Sequence, residues 1–371
     1  MVVDGKRLYN VVTSKEELDA WVDETFVVVD VDNAAELFPN LYRTKQAILY
    51  LMPKSSEVII RCPHERRDRV RMLFLMNNLF EILSLSASAR SVQFRDEGKN
   101  LSPSFFVAAN IPKASDAQIA KSRNEVTTFA TKLPSIGLLV TNTSALPGKT
   151  LRATLAFSRE EWAAIVTAAK ARDFTVTHVF HAAFILATKR RGSGTQPYAS
   201  FLAIDCRPRC TVPFNSNRHA MAAYHWGGPI AIAPTDFAGT AAEVGRKYRE
   251  ARADEDPLPG SATLLEMLTP AMSQEPPAGP PASSAASFLS SIGVLDSKLH
   301  AKYGAITMKD FWLADDNLKP EMEAFLWSWK GMIELSACYN EIFYGHGVVE
   351  KLLAVTKEIL FDGLAIDIEA K

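Results

Sequence analysis

Apolar runs and helical spacing predict the first elements of the chain. Residues 47–52 and 58–60 are apolar, and the Pro-Lys-Ser-Ser sequence between them is typical of a turn. This pattern predicts a β-hairpin over residues 45–61. Apolar residues then recur at helical spacing over residues 69–83, which predicts a helix. A further helix is expected near residues 115–131.

Strand and helix signals continue through the rest of the chain. After a strand near 150–157, Ser158 and Glu161 form the capping-box pair that begins a helix. A second helix, over about 176–190, ends in cationic residues followed by Gly192, which is a helix stop signal. The other predicted elements are a buried strand at 198–205, strands near 304–313 and 331–340, a strand face formed by Phe325, Trp327 and Trp329, and a closing helix over about 347–361 with its cap near Gly363.

The order of these elements predicts an α/β protein of the two-layer α+β kind. The two halves share a loose strand–helix–strand style, so we expect two similar domains, over residues 1–148 and 149–371. The segment 273–287 is rich in Pro, Ser and Ala and cannot sustain helix or sheet, which predicts a surface crossover within the second domain.

Composition and charge exclude several classes of partner. With 47% hydrophobic and 22% charged residues, the chain has the composition of a globular protein with a full core. A net charge of -1 gives no general attraction to nucleic acid or an acidic membrane. No apolar run reaches the roughly 18 residues that span a bilayer, and no apolar signal segment begins the chain. We therefore expect a cytoplasmic protein whose four cysteines are reduced.

The candidate chemistry lies between the predicted hairpin and the helix that follows it. There, the sequence Pro63-His64-Glu65-Arg66-Arg67-Asp68 contains a His-x-x-x-Asp spacing. An imidazole presented at the end of a strand can accept a proton near neutral pH, and an aspartate behind it can fix the local backbone. This motif alone is weak evidence for a catalytic base.

Six segments in a fixed order resemble the CoA-dependent acyltransferase superfamily, which includes chloramphenicol acetyltransferase and the condensation domains of peptide synthetases. The likeness is greatest to the fungal trichothecene 15-O-acetyltransferase group. The segments are PKSSEVIIRCPHERRD at 53–68, FTVTHVFHAAFILA at 174–187, FLAIDCRPRC at 201–210, FLSSIGVLDSKL at 288–299, MKDFWLADD at 308–316 and GMIELSACYNE at 331–341.

The resemblance implies a fold and a set of roles. Two chloramphenicol-acetyltransferase-like domains would enclose a central tunnel, with His64 at its middle as the general base. Asp68 would be structural and would pair with Arg207, or as a second choice with Arg209. Acyl-CoA would be a co-substrate, with no bound cofactor and no metal, and the protein would be a monomer that acts on a small-molecule natural product.

Other positions are candidates for contact with substrate. Arg69 and Arg71 stand where the family motif usually has glycines, so they could reach CoA phosphates, obstruct the tunnel or be solvated on the outer face of the helix. His225 and Trp226 lie in a segment that the resemblance places near the acceptor side. The remaining tunnel candidates, near the strands that could supply an oxyanion donor, are Trp312 and Ser336.

Three functions follow from these observations. The first is an acyl-CoA-dependent O-acyltransferase for a terpenoid or polyketide alcohol. The second is a repurposed enzyme of the same fold that promotes a CoA-independent cyclisation, isomerisation or elimination. It is motivated by Arg69, Arg71 and a chain that begins later than those of its relatives. The third is a non-catalytic ligand-binding protein.

Overall fold

The computed structural model describes residues 2–3, 6–7, 11–42, 44–64, 68–85, 101–142, 146–253, 257–273 and 284–367. Its α-helices are α1 (Lys15–Thr25), α2 (Ala34–Leu37), α3 (Arg69–Ser84), α4 (Phe105–Ala108), α5 (Asp116–Ala130), α6 (Arg159–Lys170), α7 (Val176–Arg191), α8 (Phe237–Ala253), α9 (Pro257–Ser273) and α10 (Val348–Leu364). Its strands are β1 (Val2–Val3), β2 (Lys6–Arg7), β3 (Phe26–Val28), β4 (Ile48–Met52), β5 (Glu57–Arg61), β6 (Leu138–Leu139), β7 (Thr150–Phe157), β8 (Tyr198–Asp205), β9 (His225–Ile232), β10 (Ser284–Ala285), β11 (Ser287–Val294), β12 (Lys302–Tyr303), β13 (Ile306–Thr307), β14 (Met322–Trp329) and β15 (Met332–Asn340).

The chain folds into two compact units that are discontinuous in sequence. The first unit comprises Met1–Asn110, Arg207–Tyr224 and Lys298–Met308. The second comprises Ile111–Cys206, His225–Ser297 and Lys309–Lys371. The contiguous domains expected from the sequence, 1–148 and 149–371, divide the chain differently, because their boundary falls inside the second unit. The expectation of two similar domains over residues 1–148 and 149–371 stays a prediction.

The first unit contains the predicted hairpin and the helix that follows it. Strands β4 and β5 pair antiparallel, and β3 adds to β4 in parallel. Helix α3 begins directly after Asp68, whose side chain accepts a hydrogen bond from the Arg71 N–H at 3.0 Å. An aspartate at this position satisfies one of the free amide groups at the start of a helix and favours its N-terminus.

The second unit is built around a four-stranded sheet in the order β11-β14-β15-β7. Strands β11 and β14 are parallel, and the other neighbours are antiparallel. One face of this sheet packs against α6, α7 and α10 in a large apolar core that includes Phe157, Phe180 and Leu335. The alternation of side chains along each strand therefore sends residues such as Arg152 and Glu334 to the opposite face.

A second, two-stranded sheet in the same unit joins β8 and β9, which pair antiparallel from Tyr198 with Ile232 to Asp205 with His225. Its apolar side chains form a core with residues of α7 and α8. At the end of α7, Gly192 lies so close to Gly137 that an added Cβ would meet the Gly137 carbonyl oxygen at 2.0 Å. Glycine is therefore required there by packing as well as by the helix stop.

Most of the elements predicted from the sequence are confirmed. They are the hairpin, α3, α5, β7, the Ser158–Glu161 capping box, α7, β8, β14, β15 and α10. The strand predicted at 304–313 is wrong. A tight pairing of β12 with β13 replaces it, with Gly304 at a φ of +56°, and Met308–Trp312 is not in a strand.

Two other predictions need correction. Gly363 does not cap α10 but lies inside it, facing the ring of Phe237. The helix ends at Leu364, and the C-cap residue is Ala365 in the left-handed conformation. The crossover at 273–287 is shorter than predicted at its end, since Ser284 already begins β10 and Ser287 begins β11. Residues 274–283 lie outside the described part of the chain. Strand β9 and helices α8 and α9 were not predicted. Within the described ranges, no helix has the length and apolarity to cross a membrane.

Candidate active site

The His-x-x-x-Asp motif connects β5 to α3 in the first unit. Strand β5 ends at Arg61, His64 follows three residues later, and Asp68 precedes the first residue of α3. His64 is exposed to solvent, whereas Asp68 is only 6% exposed. Residues 65–67, between them, lie outside the described residues. The motif thus combines an accessible imidazole with a buried carboxylate.

Hydrogen bonds from Arg207, Tyr224 and Arg71 hold the Asp68 carboxylate. The Nη2 group of Arg207 lies 2.5 Å from both carboxylate oxygens, and Arg207 is itself only 4% exposed. The backbone N–H of Tyr224 donates to Oδ2 at 2.7 Å, and that of Arg71 donates to Oδ1. The partner implied for Asp68 by the resemblance, Arg207, is therefore the one that the structure places there.

These contacts decide the charge of Asp68. Burial by itself would raise the pKa of the carboxyl group, but the charge of Arg207 and the hydrogen bonds from Arg207, Tyr224 and Arg71 outweigh it. The pKa of Asp68 consequently lies below its ordinary value. The ionised carboxylate is the stable form, and it fixes the end of the motif against the 207–224 segment.

Arg71 is buried, contrary to the solvent-facing or tunnel-facing positions predicted for it. It has no exposed surface, and its guanidinium donates to the backbone carbonyls of Phe214 at 2.6 Å and Ser216 at 2.7 Å. The group lies 4.7 Å from the ring centroid of Tyr224. Burial lowers the pKa of Arg71 to about 10, so it remains cationic at neutral pH. The prediction for Arg71 failed because the two carbonyls replace the hydrogen bonds that its guanidinium would make with water. The neighbouring Arg69 is half-buried.

The second unit contains the other residues proposed from the sequence. His225 is exposed and Trp226 is half-buried, at the start of β9. The Trp226 ring lies across Gly228, where an added Cβ would come within 2.2 Å of the indole. Trp226 packs against the apolar core beside β8 and β9, and within the described part of the chain its Nε1 has no hydrogen-bond partner.

Trp312 and Ser336 also belong to the second unit but lie in different environments. Trp312 is half-buried and stacks on Arg152, whose guanidinium carbon is 5.2 Å from the ring centroid. Ser336 is completely buried on β15, between Phe325 and Thr154 on the neighbouring strands, and its hydroxyl has no hydrogen-bond partner among the described residues. Their assignment as tunnel residues stays a prediction.

One charged pair was missed in the sequence analysis. Arg152 on β7 pairs with Glu334 on β15, and both side chains are at most one-fifth exposed. Burial, reinforced by Asp310 and opposed by Arg152, raises the pKa of Glu334 to about 7. The available signal was a single charged residue within each of two otherwise uncharged strands. Such residues must find a partner when the strands are buried.

The described part of the chain contains two buried histidines on α7, His178 and His181. No group of His, Cys, Asp and Glu residues there could hold a metal ion. His178 accepts a hydrogen bond from the Thr175 N–H, and His181 packs edge-on against Tyr198. Burial lowers the pKa of His181 to about 3 and keeps the imidazole neutral.

Comparison with known proteins extends over nearly the whole chain. The O-acetyltransferase pigM of Monascus ruber is 24% identical over 383 aligned positions, which cover 99% of this chain and 73% of the relative. Azaphilone biosynthesis cluster protein M of Aspergillus terreus is 24% identical, with 89% of this chain and 83% of the relative covered. No family model matches the chain.

A solved structure shares the fold. The TRI3 trichothecene 15-O-acetyltransferase of Fusarium sporotrichioides superposes with a TM-score of 0.80 at 17% identity, covering 96% of this chain and 80% of that one. The chain therefore has the two-domain fold of the CoA-dependent, chloramphenicol-acetyltransferase-like acyltransferases, and the resemblance predicted from the sequence is confirmed. The comparisons support an acyltransferase, while the tunnel and the residue roles stay predictions.

Proposed function

We propose that this protein is an acyl-CoA-dependent O-acyltransferase that esterifies a small natural-product alcohol. The observation that carries the proposal is that His64 is exposed, while Asp68, four residues later, is buried and bound by Arg207 and Tyr224. Burying charged groups costs desolvation free energy, so a buried ion pair next to an exposed histidine indicates a functional motif. The fold and the named acetyltransferase relatives support the same reaction class.

The proposed reaction assigns a defined proton path to His64. The neutral imidazole removes the hydroxyl proton as the acceptor oxygen attacks the thioester carbonyl. The tetrahedral intermediate then collapses, the carbon–sulfur bond breaks, and the departing CoA thiolate takes the proton from the imidazolium. The products are an ester and free CoA. A positioned base of this kind accelerates proton transfer roughly 100- to 10,000-fold.

Asp68 has a positioning function in this proposal. Its carboxylate accepts hydrogen bonds from Arg207, Tyr224 and Arg71, which tie the start of α3 to the 207–224 segment. It holds the beginning of α3, four residues after His64 in the sequence. Small displacements of a catalytic group can cost about 100-fold in rate, so this fixation matters for catalysis.

The relatives suggest the class of acceptor. The one from Aspergillus terreus is named for an azaphilone biosynthesis cluster, and that from Monascus ruber is named an O-acetyltransferase. We therefore propose a hydroxylated polyketide of the azaphilone type as the acceptor and acetyl-CoA as the first donor to test. A cytoplasmic, monomeric enzyme without metal or bound cofactor remains part of the proposal.

The CoA-independent alternative loses part of its motivation. It was motivated in part by Arg69 and Arg71 in place of glycines, and of these two residues Arg71 has no exposed surface and bonds to carbonyls of its own unit. The non-catalytic alternative has no specific observation in its favour. Both remain outcomes that the test of the leading proposal can reveal.

The test compares two histidine variants. His64→Ala is expected to lower acyl transfer by roughly 100- to 10,000-fold while the unfolding temperature stays near that of the natural protein. His346→Ala removes another exposed imidazole and is the matched control, with activity unchanged. Undiminished transfer by His64→Ala would refute the role of this residue as the base.

A further inference from the structure

Arg71 connects the start of α3 to the segment that holds the motif aspartate. Its backbone N–H binds Asp68, and its side chain binds the carbonyls of Phe214 and Ser216. These carbonyls lie in the segment 207–224, which begins with Arg207 and ends with Tyr224, the other two residues that bind Asp68. The buried Arg71 therefore contacts both Asp68 and the segment 207–224 that binds the Asp68 carboxylate.

The same guanidinium also supports Tyr224 directly. It lies 4.7 Å from the centroid of the Tyr224 ring, close enough for a cation–π contact. The Tyr224 hydroxyl donates to the Pro103 carbonyl at 3.0 Å, so the ring is fixed at both ends. The backbone amide of Tyr224, which donates to Asp68, is thus held in place by its own side chain and by Arg71.

We propose that Arg71 is a positioning residue for the acyl-transfer reaction. It clamps the 214–216 stretch against α3 and thereby keeps Arg207 and Tyr224 on the Asp68 carboxylate. It acts on the motif through these residues rather than by touching substrate. This inference rests on the proposed function for its effect on rate, but its structural part can be measured without any substrate.

A second tie between the same parts makes the proposal testable in a folded protein. The Asn78 side chain donates to the Asn217 carbonyl at 2.9 Å, two helical turns after Arg71. Removing the Arg71 guanidinium should therefore loosen the 214–216 stretch without releasing the whole segment. The variants to compare are Arg71→Met, which removes both hydrogen bonds, and Arg71→Lys, which keeps the charge and can retain one.

Arg218→Met is the matched control, because Arg218 is an exposed arginine in the same segment. We expect amide hydrogen exchange at Tyr224 to become at least tenfold faster in Arg71→Met, to a smaller extent in Arg71→Lys, and not at all in Arg218→Met. In acyl transfer, kcat should fall by about 10- to 100-fold in Arg71→Met with little change in KM, and Arg71→Lys should restore part of the loss.

The two readouts separate the failure of this inference from that of the proposed function. Unchanged exchange at Tyr224 in a folded Arg71→Met protein would overturn the positioning role whether or not acyl transfer is found. The positioning role would also be overturned if Arg71→Met raised KM and left kcat unchanged. An equal loss of activity in Arg218→Met would overturn it as well. Accelerated exchange in a protein that transfers no acyl group from any CoA ester would contradict the proposed function instead.

Discussion

Arg207 and Arg71 place two buried guanidinium groups over the same aromatic ring, that of Phe74. Their central carbons lie 5.9 Å and 5.8 Å from its centroid. Arg207 is neutralised by Asp68, whereas Arg71 donates to backbone carbonyls. Their mutual repulsion contributes, after burial, to the lowered pKa of Arg71. The single carboxylate of Asp68 is therefore central to the electrostatics of this part of the first unit.

Asp68→Asn should destabilise the protein by about 3 to 5 kcal/mol at pH 7, because it leaves the Arg207 charge buried without its anion. Urea unfolding monitored by circular dichroism would measure this change. The matched cycle adds Arg207→Met and the double variant that combines Asp68→Asn with Arg207→Met. The double variant should lose less free energy of unfolding than the sum of the single variants, since both charges are then absent. Additive losses would mean that the two residues do not act as a pair.

The same carboxylate predicts a loss of stability in acid. Because its pKa is lower in the folded than in the unfolded protein, Asp68 contributes stability that is present above the ordinary carboxyl pKa of about 4. That contribution disappears as the pH falls through the folded-state pKa. The difference in unfolding midpoint between the natural protein and Asp68→Asn should be constant from pH 7 to about pH 4 and should shrink as the pH falls further. A difference that does not shrink below about pH 4 would contradict the assignment.

Glu334 predicts a pH dependence of the opposite sign. Its pKa of about 7 in the folded protein exceeds that of a free glutamate, so the folded state binds a proton more tightly than the unfolded state does. Stability from this group is complete below about pH 4.5 and is lost as the pH rises through 7. Relative to Glu334→Gln, the natural protein should lose at most about 3 kcal/mol between pH 4.5 and pH 8. Parallel stability curves for the two proteins would show that Glu334 titrates normally.

Gly363 is required by the ring of Phe237. An added Cβ would lie 2.3 Å from the ring, so Gly363→Ala should destabilise by about 1 to 3 kcal/mol despite the better helix propensity of alanine. Phe237→Ala should remove the clash, so Gly363→Ala should lower the free energy of unfolding less in a Phe237→Ala background than in the natural protein. Gly345→Ala is the control, because its nearest neighbour would be 3.7 Å away. Thermal unfolding that shows equal effects at both glycines would contradict this packing.

The site illustrates what the sequence could and could not predict. Asp68 and Arg207 are 139 residues apart, and only the ordered segments shared with a known superfamily indicated that they would meet. The burial of Arg71 was not predicted, because a cation at the start of a helix is normally solvated. Its position depends on two carbonyls that lie more than 140 residues away in the chain. A pattern of local spacing contains no information about such partners.

The elements show a similar limit. Amphipathic helices and alternating strands were predicted because their periodicity is local, as in α3 and β15. Strand β9 was missed because Gly227, Gly228 and Pro229 argue against a strand. They are tolerated because the described residues form a two-stranded β8–β9 sheet, in which the backbone of β9 has no second neighbouring strand, and because the Trp226 ring occupies the space above Gly228.

The central claim is that this protein transfers an acyl group from CoA to a hydroxyl group. The most direct measurement incubates the purified protein with acetyl-CoA and a hydroxylated azaphilone-type polyketide, and follows the polyketide and the released CoA thiol by mass spectrometry. We predict that the polyketide gains one acetyl group, that one CoA thiol appears for each ester formed, and that neither occurs without the donor. Conversion of the polyketide at the same rate in the absence of any CoA ester would contradict this account.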